Sequence, residues 1–162
     1  MKKLKIFVVY AVALLIFAGT FSFNVKADDT WIPADVQSIC EDVGEQYDIC
    51  PELLEAIIEH ESSGQYNATN GNCKGLMQVN VKCHVDRMKK LGVYDIYDKK
   101  GNVLVATDYL CELFEEYGDP GTVLMVYNGV SNAVKKSEAG QYNYYTRHIL
   151  ERSAELEREH GK

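Results

Sequence analysis

Glu61 closes an apolar helical run in the stretch PELLEAIIEHESSGQYN, residues 51–67, and a carboxyl placed there is equipped for acid–base chemistry. Pro51 suits a first helical turn, where its missing N–H is not needed, and Leu54, Ile57 and Ile58 then share one face. Glu61 continues that face, four residues after Ile57 and three after Ile58, so it projects towards whatever buries them. Glu52, Glu55 and Glu59 are expected to point towards water. Glu61 instead occupies the negative end of the helix dipole, which disfavours a carboxylate by ~0.3–1 kcal/mol. Burial and the helix terminus both raise a carboxyl pKa, and a proton held near neutrality makes a general acid. The plainer alternative is a helix that frays after His60 and leaves Glu61 in solvent.

Two further segments, GLMQVN and VYNG, set polar residues beside apolar runs. Buried polar groups need partners. Gln78 has an ordinary reading as a loop amide bonded to nearby backbone, and Asn128 as a C-terminal helix residue before Gly129. Their joint appearance with Glu61 suggests a site. Metal chemistry is less well served. His60 and Glu61 begin an H-E-x-x-H pattern, but Gly64 stands where the second histidine is required. Cys73, Cys83 and His84 fit no common zinc spacing. No second carboxylate of the kind ordinary glycosidases use is evident. Most of the eleven tyrosines should pack half-buried, and Tyr142 and Tyr144 are left outside the site.

The elements that must position these residues are helical throughout. Residues 34–47 present Val36, Ile39, Cys40 and Val43 at core spacing, and YDICP turns the chain into the helix that ends at Glu61. SSGQYNATNGNCKG reads as a loop. Asn80 is expected to cap a helix from about Val81 to Leu91, ending at Gly92, and Asn102 to cap another that runs to Gly118. Asp119 and Pro120 begin a short, buried apolar helix, and YNYYTRHILERSAELEREH forms a last one with a solvated, charged end.

The chain of 162 residues has room for one domain. MKKLK followed by IFVVYAVALLIFAGTF reads as a signal peptide over residues 1–27, with cleavage after Ala27 and an uncleaved membrane anchor as the alternative. The domain, residues 28–162, is therefore expected outside the cytoplasm, secreted or associated with the cell wall. Without Lys2, Lys3, Lys5 and Lys26 it carries 13 basic and 24 acidic residues, a net charge of −11. Nucleic acid is excluded as a natural partner, and an anionic polymer would have to be held by local contacts in a shaped groove. Cys40, Cys50, Cys73, Cys83 and Cys111 lie in the exported part, so two disulfides and one odd thiol are expected, with the pairing open.

The ordered series formed by Glu61–Ser62, Asn67–Ala68, GLMQV from Gly75, YNG from Tyr127 and a tyrosine followed by TRHIL resembles the lytic transglycosylase domain of the soluble-lytic-transglycosylase type, itself similar to goose-type lysozyme. The resemblance spans most of residues 50–150. It implies a compact, all-α, lysozyme-like single domain that cleaves peptidoglycan glycan strands without a metal or organic cofactor. It makes Glu61 the single acid/base, yielding 1,6-anhydro-N-acetylmuramic acid ends. Ser62 is implied to hold the glutamate or the substrate, Met77 and Gln78 to contact glycan from the groove loop, and Tyr127 and Asn128 to do so from the YN pair. The tyrosine oriented towards the carboxyl is assigned to Tyr145 rather than Tyr144, because Ile149 and Leu150 then fall where the family places aliphatic residues. A monomer is expected, with cell-envelope, secretion or conjugation machinery as a candidate partner, and wall growth, passage of such a machine and attack on a competitor stand as open roles. Gly64, Val126, Gly129 and the short loop carrying Cys73 depart from the family pattern and bear on subsite preference. Two other readings stand beside this one: a hydrolase in which Asp86 or Asp119 positions water, and a glycan-binding protein without turnover.

Overall fold

The computed structural model describes residues 32–162, and the leader read over residues 1–27 lies outside them. Seven helices and one small sheet follow in the order α1 (Ala34–Tyr47), α2 (Pro51–Ser62), β1 (Thr69–Asn70), β2 (Cys73–Lys74), β3 (Val79–Asn80), α3 (Val85–Leu91), α4 (Lys99–Tyr117), α5 (Pro120–Tyr127), α6 (Ala133–Glu138) and α7 (Tyr144–Glu159). The all-α expectation holds for the body of the protein. Among the described residues no helix is long and apolar enough to cross a membrane.

Helix α1 forms where its periodicity placed it, burying Val36, Cys40 and Val43. It packs against both α2 and α4, while α2 lies along α7 and α4 along α5. One apolar core joins these helices, including Leu54 and Ile57 from α2, Leu110 from α4, Leu124 from α5, and Ile149 and Leu156 from α7.

Sequence pattern mislocated two helix starts. Asp98, rather than Asn102, caps α4, accepting a hydrogen bond from the Gly101 N–H at 2.7 Å, and Asn102 is fully buried one turn inside. Asn80 belongs to β3 and accepts from the Lys82 N–H, so α3 begins only at Val85. Both C-termini fall as expected, at Gly92 and Gly118, which take positive φ. Asp119 caps α5 through the Thr122 N–H, and Asn143 caps α7 through the Thr146 N–H.

The carboxylates of α2 are the larger surprise. Glu52 and Glu55 are buried, and Glu59 is half-buried rather than free in water. Glu52 accepts from Lys162 Nζ at 2.6 Å, Cys50 Sγ at 3.1 Å and His160 at 2.9 Å. Burial raises its pKa, but these donors prevail and bring it down to about 2. Glu55 has no such set: one carboxylate oxygen is buried without a partner, and burial pushes its pKa up to about 7. Glu59 takes a two-pronged bond from Arg152, at 2.7 and 3.0 Å. The far end of the chain is thus an anchor for α2 rather than only a solvated tail. All five cysteines are free thiols, so the expected disulfides are not formed in this structure.

Candidate active site

Glu61 stands on the last turn of α2, which stops because Ser63 adopts a left-handed conformation at φ 51° and returns its N–H to the Glu59 carbonyl at 3.1 Å. Gly64 follows at φ 73°, a backbone state that favours glycine and accounts for its place here. The helix persists through Glu61, so the carboxyl faces inward instead of fraying into solvent. It lines a cavity of about 290 Å³ between α2, the small sheet, α4 and the end of α5.

Burial pushes the Glu61 pKa above its ordinary value, as its place on the apolar stripe predicts. The Tyr145 hydroxyl, within electrostatic reach of the carboxyl, draws it partway back. That hydroxyl is buried and closes no hydrogen bond within the described residues, which leaves it free to serve Glu61. The position of Tyr145 follows from the first turn of α7: Tyr145 and Ile149 are buried one turn apart, whereas Tyr144 is 67% exposed. Choosing between adjacent tyrosines by the aliphatic residues that follow selected the one beside Glu61.

Gln78, Tyr127 and Asn128 meet Glu61 around the cavity. The ordinary readings of two of them also hold. The Gln78 side chain donates to the Gly75 carbonyl at 2.9 Å, and Asn128 is the residue after α5, its amide oxygen accepting from Asn143 at 3.1 Å. Backbone capping and a place in the cavity wall are compatible uses of one amide.

Two of the expected site residues, Met77 and Ser62, do not line the cavity. The Met77 side chain is fully buried and does not line the cavity, because its loop turns that side chain into the core. Its backbone matters instead: the Met77 carbonyl accepts from the Tyr127 hydroxyl at 2.8 Å, and its N–H donates to Asn102 at 2.8 Å. Ser62 is buried, and its hydroxyl donates to the Ile58 carbonyl one turn back at 3.2 Å. It therefore steadies the end of the helix and not the cavity wall.

Sequence reasoning missed an aromatic wall. The Tyr109 ring, on α4, lies 4.6 Å from the His84 ring and 6.0 Å from that of Tyr127, with the Arg87 guanidinium 5.3 Å from its centre. His84, Tyr109 and Tyr127 all line the cavity, as does Cys73. His84 stands out in the sequence only as a metal-ligand candidate and Cys73 as a metal-ligand or disulfide candidate, and Tyr109 carries no signal beyond its helical register. Among the described residues no group of three His, Cys, Asp or Glu is placed to hold a metal ion. Neither aspartate considered for water activation reaches the cavity. Asp86 is exposed beside Lys89, and Asp119 is committed to Thr122, Ser137 and Tyr142.

Among the described residues that line the cavity, Glu61 is the one carboxylate. The arrangement is a raised-pKa acid facing a polar and aromatic wall, suited to donating a proton to a bound neutral oxygen and taking one back. The chain is similar, at 35% identity over 88 residues, to a protein of Enterobacteria phage PRD1 that bears the name "Transglycosylase". That similarity covers 54% of this chain and 32% of the phage protein, so the chain spans about a third of the length of its relative. The Transglycosylase SLT domain family matches residues 39–150, more than half of the chain and every residue of the cavity. The chain belongs to the transglycosylase SLT domain family.

Proposed function

We propose that this domain is a lytic transglycosylase that cuts the β-1,4 bond between N-acetylmuramic acid and N-acetylglucosamine in peptidoglycan, outside the cytoplasm. The observation that carries this reading is the solitary, half-buried Glu61 carboxyl, held above its ordinary pKa at the cavity wall. A two-carboxylate glycosidase needs partners separated by ~5–5.5 Å or ~6.5–9.5 Å. A single acid suffices when the sugar supplies the nucleophile. Protonated Glu61 gives its proton to the glycosidic oxygen as the bond from C1 breaks. The resulting carboxylate accepts the proton of the muramic 6-hydroxyl while O6 closes on C1. Glu61 ends protonated, no water is consumed, and the new end is a 1,6-anhydro sugar.

The remaining roles follow from position. Tyr145 donates towards Glu61 when it is ionised, stabilising the carboxylate between the two proton transfers. Gln78 and Asn128 offer amide groups to the sugar, and Tyr109 and Tyr127 offer ring surface. Each step uses side chains and substrate alone, with no cofactor called upon.

Mass spectrometry of fragments released from purified peptidoglycan tests the proposal, with Glu61→Gln run beside the unaltered protein. Anhydro-ended fragments from the unaltered protein alone are the expected result. Reducing-ended fragments would make the protein a hydrolase, and unchanged cleavage by Glu61→Gln would remove Glu61 from the mechanism.

A further inference from the structure

Asn102 is fully buried in the second turn of α4, a place where an asparagine has little intrinsic reason to be. Its amide favours caps and turns over helix interiors, and burying it is unfavourable without partners. The structure supplies three, all backbone groups outside the helix. The Nδ2 group donates to the Lys74 carbonyl and to the Ile96 carbonyl, both at 2.9 Å, and Oδ1 accepts from the Met77 N–H at 2.8 Å. The partners fix the amide's orientation, since two carbonyls require the nitrogen and an N–H requires the oxygen.

Lys74 and Met77 bracket the turn that delivers Gln78 to the cavity, so one side chain grips that turn at both ends. Gly75 lies between them at φ 77°, and a Cβ added there would overlap the Asn102 amide. The glycine and the asparagine are therefore complementary parts of one joint. Downstream, Gln78 takes a left-handed conformation, φ 48°, with its N–H and its side chain both turned onto the Gly75 carbonyl at 3.3 and 2.9 Å. On the other side, Tyr127 holds the Met77 carbonyl. Met77 is thus pinned through its N–H by α4 and through its carbonyl by α5, and both Gln78 and Tyr127 are cavity residues.

We propose that Asn102 is a positioning residue for the glycan groove: through Lys74, Gly75 and Met77 it sets where Gln78 and Tyr127 hold the sugar relative to Glu61. It lines no part of the cavity and touches no substrate. The inference rests on the transglycosylase reading for its consequence in catalysis, but the clamp itself is observable without turnover.

The test combines amide hydrogen exchange with kinetics. In the unaltered protein the Met77 N–H should exchange far more slowly than loop amides such as Asn67. Exchange at loop rates would overturn the clamp, whether or not the protein cleaves peptidoglycan. Asn102→Ala and Asn102→Asp should both retain the helical circular dichroism of the parent, with exchange in α2 and α7 unchanged; Asn102→Ala should lose Met77 protection, whereas Asn102→Asp keeps the acceptor for the Met77 N–H and loses the donors to the Lys74 and Ile96 carbonyls. Cleavage of peptidoglycan should fall on the order of 10²-fold in kcat/KM, the figure expected when reacting groups are displaced by about 1 Å. The pH at which activity is lost should stay where Glu61 puts it, because Asn102 does not face that carboxyl. Folded variants with parental kinetics would refute the proposal. So would a failure of both variants to fold, which would make Asn102 a core residue and nothing more. If the unaltered protein shows the protected amide but releases no fragments, the transglycosylase reading fails and the clamp stands.

Discussion

Glu55→Gln should stabilise the protein, and the gain should appear only as pH rises. Glu55 is 1% exposed, one of its oxygens has no partner, and its pKa is raised from 4.5 to about 7. Burial is the main cause, with the neighbouring acids Glu52, Glu41 and Glu59 adding to it and His160 opposing. The unfolded chain ionises near 4.5 and the folded chain near 7, so between those values unfolding releases a proton and stability falls with rising pH. At ~1.36 kcal/mol per pH unit the penalty reaches about 3 kcal/mol above pH 7. Below pH 4.5 both states are protonated and the penalty vanishes. Glutamine resembles the neutral acid, so it removes the titration and leaves the packing. Urea unfolding at pH 5 and pH 8 checks this: the variant should gain little at the lower pH and about 3 kcal/mol at the higher, with roughly 3 °C in Tm for each kcal/mol. Glu52 serves as the internal control, because its pKa is lowered to about 2 and its contribution is lost only as pH falls from 4.5 towards that value. An equal offset for Glu55→Gln at both pH values would refute the titration argument.

Tyr145→Phe should move the alkaline loss of activity to higher pH, since the hydroxyl that draws the Glu61 pKa down is removed; a pH–rate profile measures the shift, and movement to lower pH contradicts the assignment. Arg152→Ala should cost about 3 kcal/mol, as expected when one partner of a largely buried pair is removed, because Glu59 is then left desolvated. Thermal unfolding measures that loss, and a change below about 1 kcal/mol would class the pair with ordinary surface bridges.

What was legible in the sequence was local. The course of α1 and the inward face of α2 that carries Glu61 follow from a 3.6-residue period read within one helix, whereas the choice of Tyr145 rests on the family resemblance. The three strands have two residues each and α6 has six, too few for any period to register. Glu52 and Glu55 read as solvent-facing because carboxylates usually are, and the His160 partner of Glu52 lies 108 residues away. Asn102 imitated a cap since asparagine near a helix start usually is one, while its true partner at Met77 is 25 residues back. Met77 is expected from the resemblance to contact glycan; its side chain is buried, and its peptide group is bonded to α4 and α5. In each case the missing information was a long-range contact that pattern cannot carry.

The anchoring of α2 has a mechanical consequence. Through Glu52 and Glu59 the helix that bears the acid is fastened to α7 and the chain end, whereas the opposing wall is fastened to α4 and α5 through Met77. Helix α1 packs against both halves and acts as their common spine. The two walls of the cavity are each braced within their own helices, and α5 also packs on α7, where Asn143 donates to Asn128 at 3.1 Å. The placement of Glu61 relative to the residues that face it is therefore set by two separate sets of anchors, so a substitution in one set displaces one wall and leaves the other in place.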